Sequence, residues 1–145
     1  MTTHASAPVQ PVPHTGKALH VTLWVAQGLL AIAFAMAGVM KATTPIAELA
    51  IKLPWVAETP AALVRFIGTS ELLGAIGLIL PAATRIRPRL TPLAAAGLVL
   101  VMVLALAFHA SRGELAQAAP VNLVLGGLAA FVAWGRFKKA PIEPR

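Results

Sequence analysis

Glu71 is the residue of this chain with the most chemistry to explain. It lies inside Ala61–Pro81, AALVRFIGTSELLGAIGLILP, a stretch long enough to cross a bilayer that also carries Arg65, Thr69 and Ser70. An ionised carboxylate near the middle of a spanning helix costs roughly 2.5–3.5 kcal/mol on insertion scales. Such a side chain is expected to face protein or a wet chamber rather than lipid, and to mark a functional site. Sheltered there without a full counter-charge, it would keep its proton and could act as a proton carrier or hydrogen-bond donor. His109 offers the matching imidazole, so Glu71 and His109 form the candidate catalytic pair for proton exchange with a bound molecule. Lys41, Arg65, Asn122 and Gln27 are the candidate ligand-binding residues.

The elements that must position these groups are membrane spans. The chain has 145 residues, 58% hydrophobic and 12% charged, against about 25% charged in a soluble domain. Its mean hydropathy is +0.79. Residues 1–17 are polar and rich in proline and threonine, and are expected to form a disordered tail. Span one covers about 18–41. Its apolar run exceeds the roughly 7–15 residues of a signal-peptide core, so it is expected to be retained. Lys41–Pro60 carries three prolines and four charges. Within it Ile46, Leu49, Ala50 and Leu53 recur at helical spacing, which predicts a short interfacial helix with Trp55 as an anchor. Spans two, three and four cover about 61–81, 90–110 and 120–137, with Thr91 as the expected N-cap of span three and Pro92 at its first helical position. Residues 138–145 form a basic tail. The fold class is therefore all-α, an integral membrane four-helix bundle with a short interfacial helix between spans one and two.

Depth and phase bring the polar residues together. Spans alternate in direction, so Lys41, Arg65, His109 and Asn122 fall near one membrane surface, with Glu71 roughly 15 Å deep at 1.5 Å per residue. Gln27, Ala31, Ala35, Gly38 and Lys41 share one face of span one, and Gly68, Glu71 and Ala75 one face of span two. Small residues on such faces permit close helix approach. Blander roles compete at each position: Lys41 and Arg65 as snorkelling anchors, Asn122 as a cap or interhelical hydrogen bond, Glu71 in a structural pair. Eight of the twelve bases (Lys17, Arg85, Arg87, Arg89, Arg136, Lys138, Lys139 and Arg145) lie on the side of the tails. The positive-inside rule then places both termini in the cytoplasm, in a membrane expected to be the bacterial cytoplasmic membrane.

Several chemistries are excluded. The chain has no cysteine, and so no disulfide, thiolate nucleophile or thiolate metal site. It has no aspartate, so no Ser-His-Asp triad, and His20 and His109 are predicted on opposite sides, which leaves no bis-histidine haem pair. No metal site is expected. The bases lie between apolar runs rather than on one face, which does not suit nucleic acid.

AGVMK at Ala37–Lys41, GTSELLGAIGLILP at Gly68–Pro81, LTPLAAAGLVLVMVLALAFH at Leu90–His109 and APVNLVLGGLAAFVAWGR at Ala119–Arg136 resemble the DoxX-like family of small membrane proteins. The likeness runs from about Leu19 to Arg136. In that family a Lys after the first span, a Glu in the second, a His ending the third and an Asn opening the fourth recur, which corresponds here to Lys41, Glu71, His109 and Asn122. The resemblance implies a four-helix membrane bundle with a polar pocket. The family is named after a subunit of a membrane thiosulfate:quinone oxidoreductase, relatives are linked to redox homeostasis, and animal relatives act as assembly factors. The expected function is an outward-facing pocket for a quinone or other lipophilic molecule in a redox-associated role. No covalently bound cofactor is expected, and a partner subunit would supply electrons. The alternative is an assembly or interaction subunit without chemistry of its own. A proton-coupled transporter fits less well, since no internal repeat or paired broken helices are evident.

Overall fold

The computed structural model describes residues 15–145; the part of the expected tail before Thr15 lies outside the described residues. Four helices are long and apolar enough to cross a membrane: α1 (Thr15–Thr43), α3 (Ala61–Thr84), α4 (Leu90–Ser111) and α5 (Leu115–Trp134). Between the first two lie the short α2 (Ile46–Lys52) and a 3-10 turn (Pro54–Glu58), as the Ile46–Leu53 periodicity leads one to expect. Prolines punctuate this connection. Pro45 and Pro60 sit in extended backbone immediately before α2 and α3, and Pro54 opens the 3-10 turn. Each occupies a place where its missing N–H would have no helical partner anyway. Leu49, Val56 and Val64 bury together, with Met40 and Trp55 against them, and seat the connection on the bundle.

The helices pack in chain order, α1 on α3, α3 on α4 and α4 on α5, and the contact between α1 and α5 that closes the ring is much smaller. Leu23, Leu30, Phe34, Leu78, Leu98 and Val132 form the core. That core is lopsided. On α4 no residue beyond Met102 is buried, and on α5 none before Ala129 is. Of the apolar window of α1, 33% is buried, but only 11% of that of α5. The bundle is tight throughout at the end where α1 begins and α5 finishes, whereas at the end that carries α2 it is loose on the side of α4 and α5 while α1 and α3 remain in close contact.

Those two ends differ in charge as well. The loose end and the half of the bundle beneath it hold Glu48, Glu58, Glu71 and Glu114 against Lys41, Lys52, Arg65 and Arg112, which cancel. The tight end holds the other eight bases against Glu143 alone, so the whole net charge of +7 sits there. We call them the acidic end and the basic end.

Helix limits depart from expectation where proline is involved. α3 continues through Pro81 to Thr84 and α5 begins at Leu115, ahead of Pro120. A proline inside a helix forfeits one backbone bond, but the rest of the helical ladder holds on either side, and in a membrane unravelling further backbone would cost more. Thr91 is not the N-cap of α4. Arg89 holds that position, Thr91 is buried one residue into the helix with its hydroxyl unpartnered among the described residues, and Pro92 is the third helical residue. The α3–α4 turn places Arg85 and Arg87 in left-handed backbone, with φ of 60° and 48°, a conformation that costs roughly 1–2 kcal/mol per non-glycine residue. The chain after α5 returns to this turn, where the Arg145 N–H donates to the Arg85 carbonyl (3.2 Å) and Arg85 Nε donates to the Glu143 carbonyl (3.2 Å).

Candidate functional site: a buried ion pair beside a loose half-bundle

Where α1 crosses α3, Gly38 and Gly68 let the two backbones touch. A Cβ on Gly38 would stand 2.7 Å from the Gly68 carbonyl oxygen, and one on Gly68 would stand 2.7 Å from Lys41 Cβ. Only hydrogen fits at both positions. One turn further on, this approach places Lys41 Nζ 2.9 Å from Glu71 Oε1 and 2.7 Å from Oε2. Glu71 is only 4% exposed. Arg65 Nη1 donates to the Lys41 carbonyl at 2.7 Å, so it satisfies one of the four carbonyls that a helix end leaves open instead of snorkelling to head groups. Lys41, Arg65 and Glu71 therefore form one cluster. The ammonium reaches both carboxylate oxygens. The buried carboxylate thus has a basic partner in direct contact.

His109 belongs to a neighbouring node. Its Nδ1 lies 3.0 Å from Glu114 Oε2, and Arg112 Nε lies 3.1 Å from Glu114 Oε1. Arg112 Nη1 also reaches Glu58 Oε2 at 2.6 Å, which ties the 3-10 turn to the α4–α5 connection. Trp55, Phe108 and His109 pack edge to face, with ring centres 5.5–6.4 Å apart. The hydrogen bond from Arg112, followed by that from His109, holds the Glu114 carboxyl below the usual glutamate range. The acid that meets the imidazole is therefore Glu114, on the same connection, and not Glu71. Asn122 donates from Nδ2 to the Ala118 carbonyl of its own helix (2.9 Å), a local bond in place of an interhelical one.

Gln27 stands apart, in the basic half. Its Nε2 donates to the Leu78 carbonyl at 2.7 Å and its Oε1 accepts from Arg136 Nε at 2.6 Å. Arg136, its partner, is expected from the sequence only as one of the bases on the side of the tails. It is 3% exposed. After Trp134 the helix widens into a turn of π geometry, Gly135–Lys139, closed by the Ala140 N–H donating to the Gly135 carbonyl (2.8 Å). Such widened turns re-aim side chains. Gly135 makes room, since a Cβ there would meet Leu23 Cδ2 at 2.5 Å. The available signal was Gln27 itself, because a buried amide needs partners at both its ends.

The DoxX-like family matches residues 25–132. The chain belongs to the DoxX-like family. No curated protein and no solved structure matches it. With four apolar spans, this DoxX-like chain is an integral membrane protein in contact with the bilayer. The matched segment contains Lys41, Arg65, Glu71, His109 and Asn122, whereas His20 and Arg136 lie outside it.

Two hollows are described in this DoxX-like bundle, and neither touches the Lys41–Glu71 pair. One, of about 500 Å³, is an apolar groove between α3 and α4 lined by Leu73, Ile76, Leu80, Leu90 and Leu93. The other, of about 460 Å³, opens at the basic end between His20, Trp24 and Arg85. In the acidic half, Leu104, Val121, Leu123 and Val124 are exposed, as lipid-facing residues should be, while Lys41, Arg65, His109 and Asn122 are half-buried. The polar groups turn inward in a region without a tight core.

Proposed function

We propose that this DoxX-like protein takes up a quinone-like lipophilic molecule from the membrane into its loosely packed acidic half, as one subunit of a redox-linked assembly. The observation that carries the reading is the buried Lys41–Glu71 pair, in the half of the bundle where α4 and α5 have no buried core residues, whose ammonium could also donate to a ligand. A quinone carbonyl can accept such a hydrogen bond. Two-electron reduction of a quinone takes up two protons, which Glu71 and His109 would relay in this reading, with the electrons delivered by a partner subunit. Arg65 holds the Lys41 backbone in place. By the positive-inside rule the basic end faces the cytoplasm of a bacterial cell and the acidic end faces outward.

Protein reconstituted in nanodiscs and titrated with a short-chain quinone tests this through quenching of Trp55, which packs on His109. Lys41→Met and Glu71→Gln should each weaken binding by tenfold or more, on the order of one lost charge-assisted hydrogen bond. Equal affinity in wild type and both variants would overturn the reading.

The second reading, an assembly subunit, draws on the exposed apolar face of α5. Native mass spectrometry separates the two: a co-purifying polypeptide without a lipid-like mass favours assembly, and a bound small lipophile favours the quinone site.

A further inference from the structure

Arg136 is a permanent positive charge that the bundle buries without a carboxylate. Its Nε donates to Gln27, and its Nη1 lies 3.1 Å from the Ala140 carbonyl oxygen and 3.1 Å from His20 Nδ1. Its Nη2 is buried with no partner among the described residues. The guanidinium also sits over the Trp24 ring, 5.5 Å from its centre.

His20 cannot satisfy its neighbours. Trp24 Nε1 approaches its Nε2 at 3.1 Å while Arg136 Nη1 approaches its Nδ1 at 3.1 Å. Indole and guanidinium nitrogens only donate, and a neutral imidazole has a single acceptor nitrogen. One of the two contacts therefore sets N–H against N–H. With the two N–H groups of Nη2, this patch has a surplus of donors around a fixed charge, and what it lacks is an acceptor.

No carboxylate side chain among the described residues pairs with Arg136. Glu48, Glu58, Glu71 and Glu114 are all in the acidic half, and residues 1–14 contain no acid. Glu143, the one acid of this end, is exposed and meets Arg85 through its backbone carbonyl rather than its carboxylate. Leaving a buried charge without a counter-ion is costly, so an outside anion has a thermodynamic reason to bind.

There is a place for one. The hollow of about 460 Å³ is walled by His20, Trp24, Arg85 and the exposed Glu143, with Arg136 in contact with the first two, and by Ala82, Ala83, Pro141 and Ile142 on its apolar side. We propose that this hollow is a phosphate site filled by the head group of an anionic phospholipid. The phosphate oxygens accept from Arg85 and from the His20–Trp24 wall, Arg136 supplies charge in contact with that wall, and the apolar side covers the start of the lipid's glycerol and acyl portion. Location favours a lipid as the source. The hollow opens at a bundle end that carries the entire net charge of +7, and basic pockets between spans at that level attract anionic head groups.

The test uses the full chain in nanodiscs with a Trp55→Phe, Trp134→Phe background, leaving Trp24 as the reporter. Brominated phosphatidylglycerol should quench Trp24 more than brominated phosphatidylcholine at equal mole fraction. Arg85→Gln, at an exposed position, should lower that preference about fivefold, as expected for one base near a charged head group. Arg136→Gln should lower it further, and the thermal stability of the detergent-purified chain should rise with phosphatidylglycerol in wild type but not in Arg136→Gln. Inorganic phosphate is the control for source. Stabilisation by phosphate alone, without a lipid preference, would support the anion site and overturn the lipid as its occupant. Equal quenching by both lipids, with no stabilisation by either anion, would overturn the proposal altogether, as would an unchanged preference in Arg85→Gln and a folded Arg136→Gln.

Discussion

Removing Lys41 should harm the fold more than removing the charge of Glu71, because the two partners have unequal escape routes. Their side chains are 12% and 5% exposed respectively. Lys41 stands in the last turn of α1, so without Glu71 its ammonium can extend towards the membrane surface. Glu71 lies near mid-helix in α3, with a short side chain and no second base against it among the described residues. Breaking a buried pair from one side typically costs about 3–5 kcal/mol, whereas replacing both partners by apolar groups is often neutral or stabilising. Lys41→Met should therefore cost about 3–5 kcal/mol, Glu71→Gln about 1–3 kcal/mol as a hydrogen-bond loss, and Lys41→Met/Glu71→Met less than either single variant. Reversible unfolding in mixed micelles, followed by circular dichroism, gives the three values and a coupling energy. Two near-neutral single variants with additive effects would refute the premise that this pair is buried and interacting.

The same geometry makes further predictions. Gly68→Ala should destabilise by about 1–3 kcal/mol, the usual cost of overpacking, because its Cβ would meet the Ala42 backbone nitrogen at 2.8 Å; Gly97→Ala and Gly127→Ala, with nothing within 4 Å, should be neutral in the same unfolding assay. Arg112→Ala should speed hydrogen exchange in α2 and the 3-10 turn while leaving α3 and α4 protected, since Arg112 joins Glu58 to Glu114. Acid should loosen this node: with the Glu114 carboxyl held below its ordinary range, its contribution is complete above the unfolded glutamate pKa of about 4.3 and is lost as pH falls through the lower folded value. Trp55 emission in a Trp24→Phe, Trp134→Phe background should report that transition, and Glu114→Gln should abolish it.

Spans and faces were legible because they follow from local pattern. Apolar length placed four helices, the Ile46–Leu53 spacing placed α2, and the small-residue faces of Gly38 and Gly68 anticipated the α1–α3 approach. Depth arithmetic put Lys41 and Arg65 near one surface with Glu71 roughly 15 Å deep, and the long lysine side chain closes that gap. Pairing within that depth was not legible, since depth fixes height in the membrane but not azimuth around the bundle. His109 consequently meets Glu114 on its own connection, while Asn122 bonds along its own helix. Arg136 escaped for another reason. A base next to the end of an apolar run reads as an anchor, and only the π-type turn at Gly135–Lys139 rotates it into the bundle.

Charge distribution links the two proposed sites. At the acidic end acids and bases match in number, and the pairs formed there (Lys41 with Glu71, Arg112 with Glu58 and Glu114) leave little field for a charged ligand. A neutral lipophile with hydrogen-bonding oxygens suits that half. At the basic end eight bases face Glu143 alone, and Arg136 has been drawn inside without an acid paired to it among the described residues. Tight packing of Leu23 against Gly135 holds the guanidinium there, so the charge cannot relax by swinging into water. A bundle that needed only topology signals would leave all its arginines outside, as Arg87 and Arg89 are. Burying one against Gln27, Trp24 and His20 makes sense where an anion completes the set, and such an anion would also brace the only end at which α1 and α5 meet through a common core.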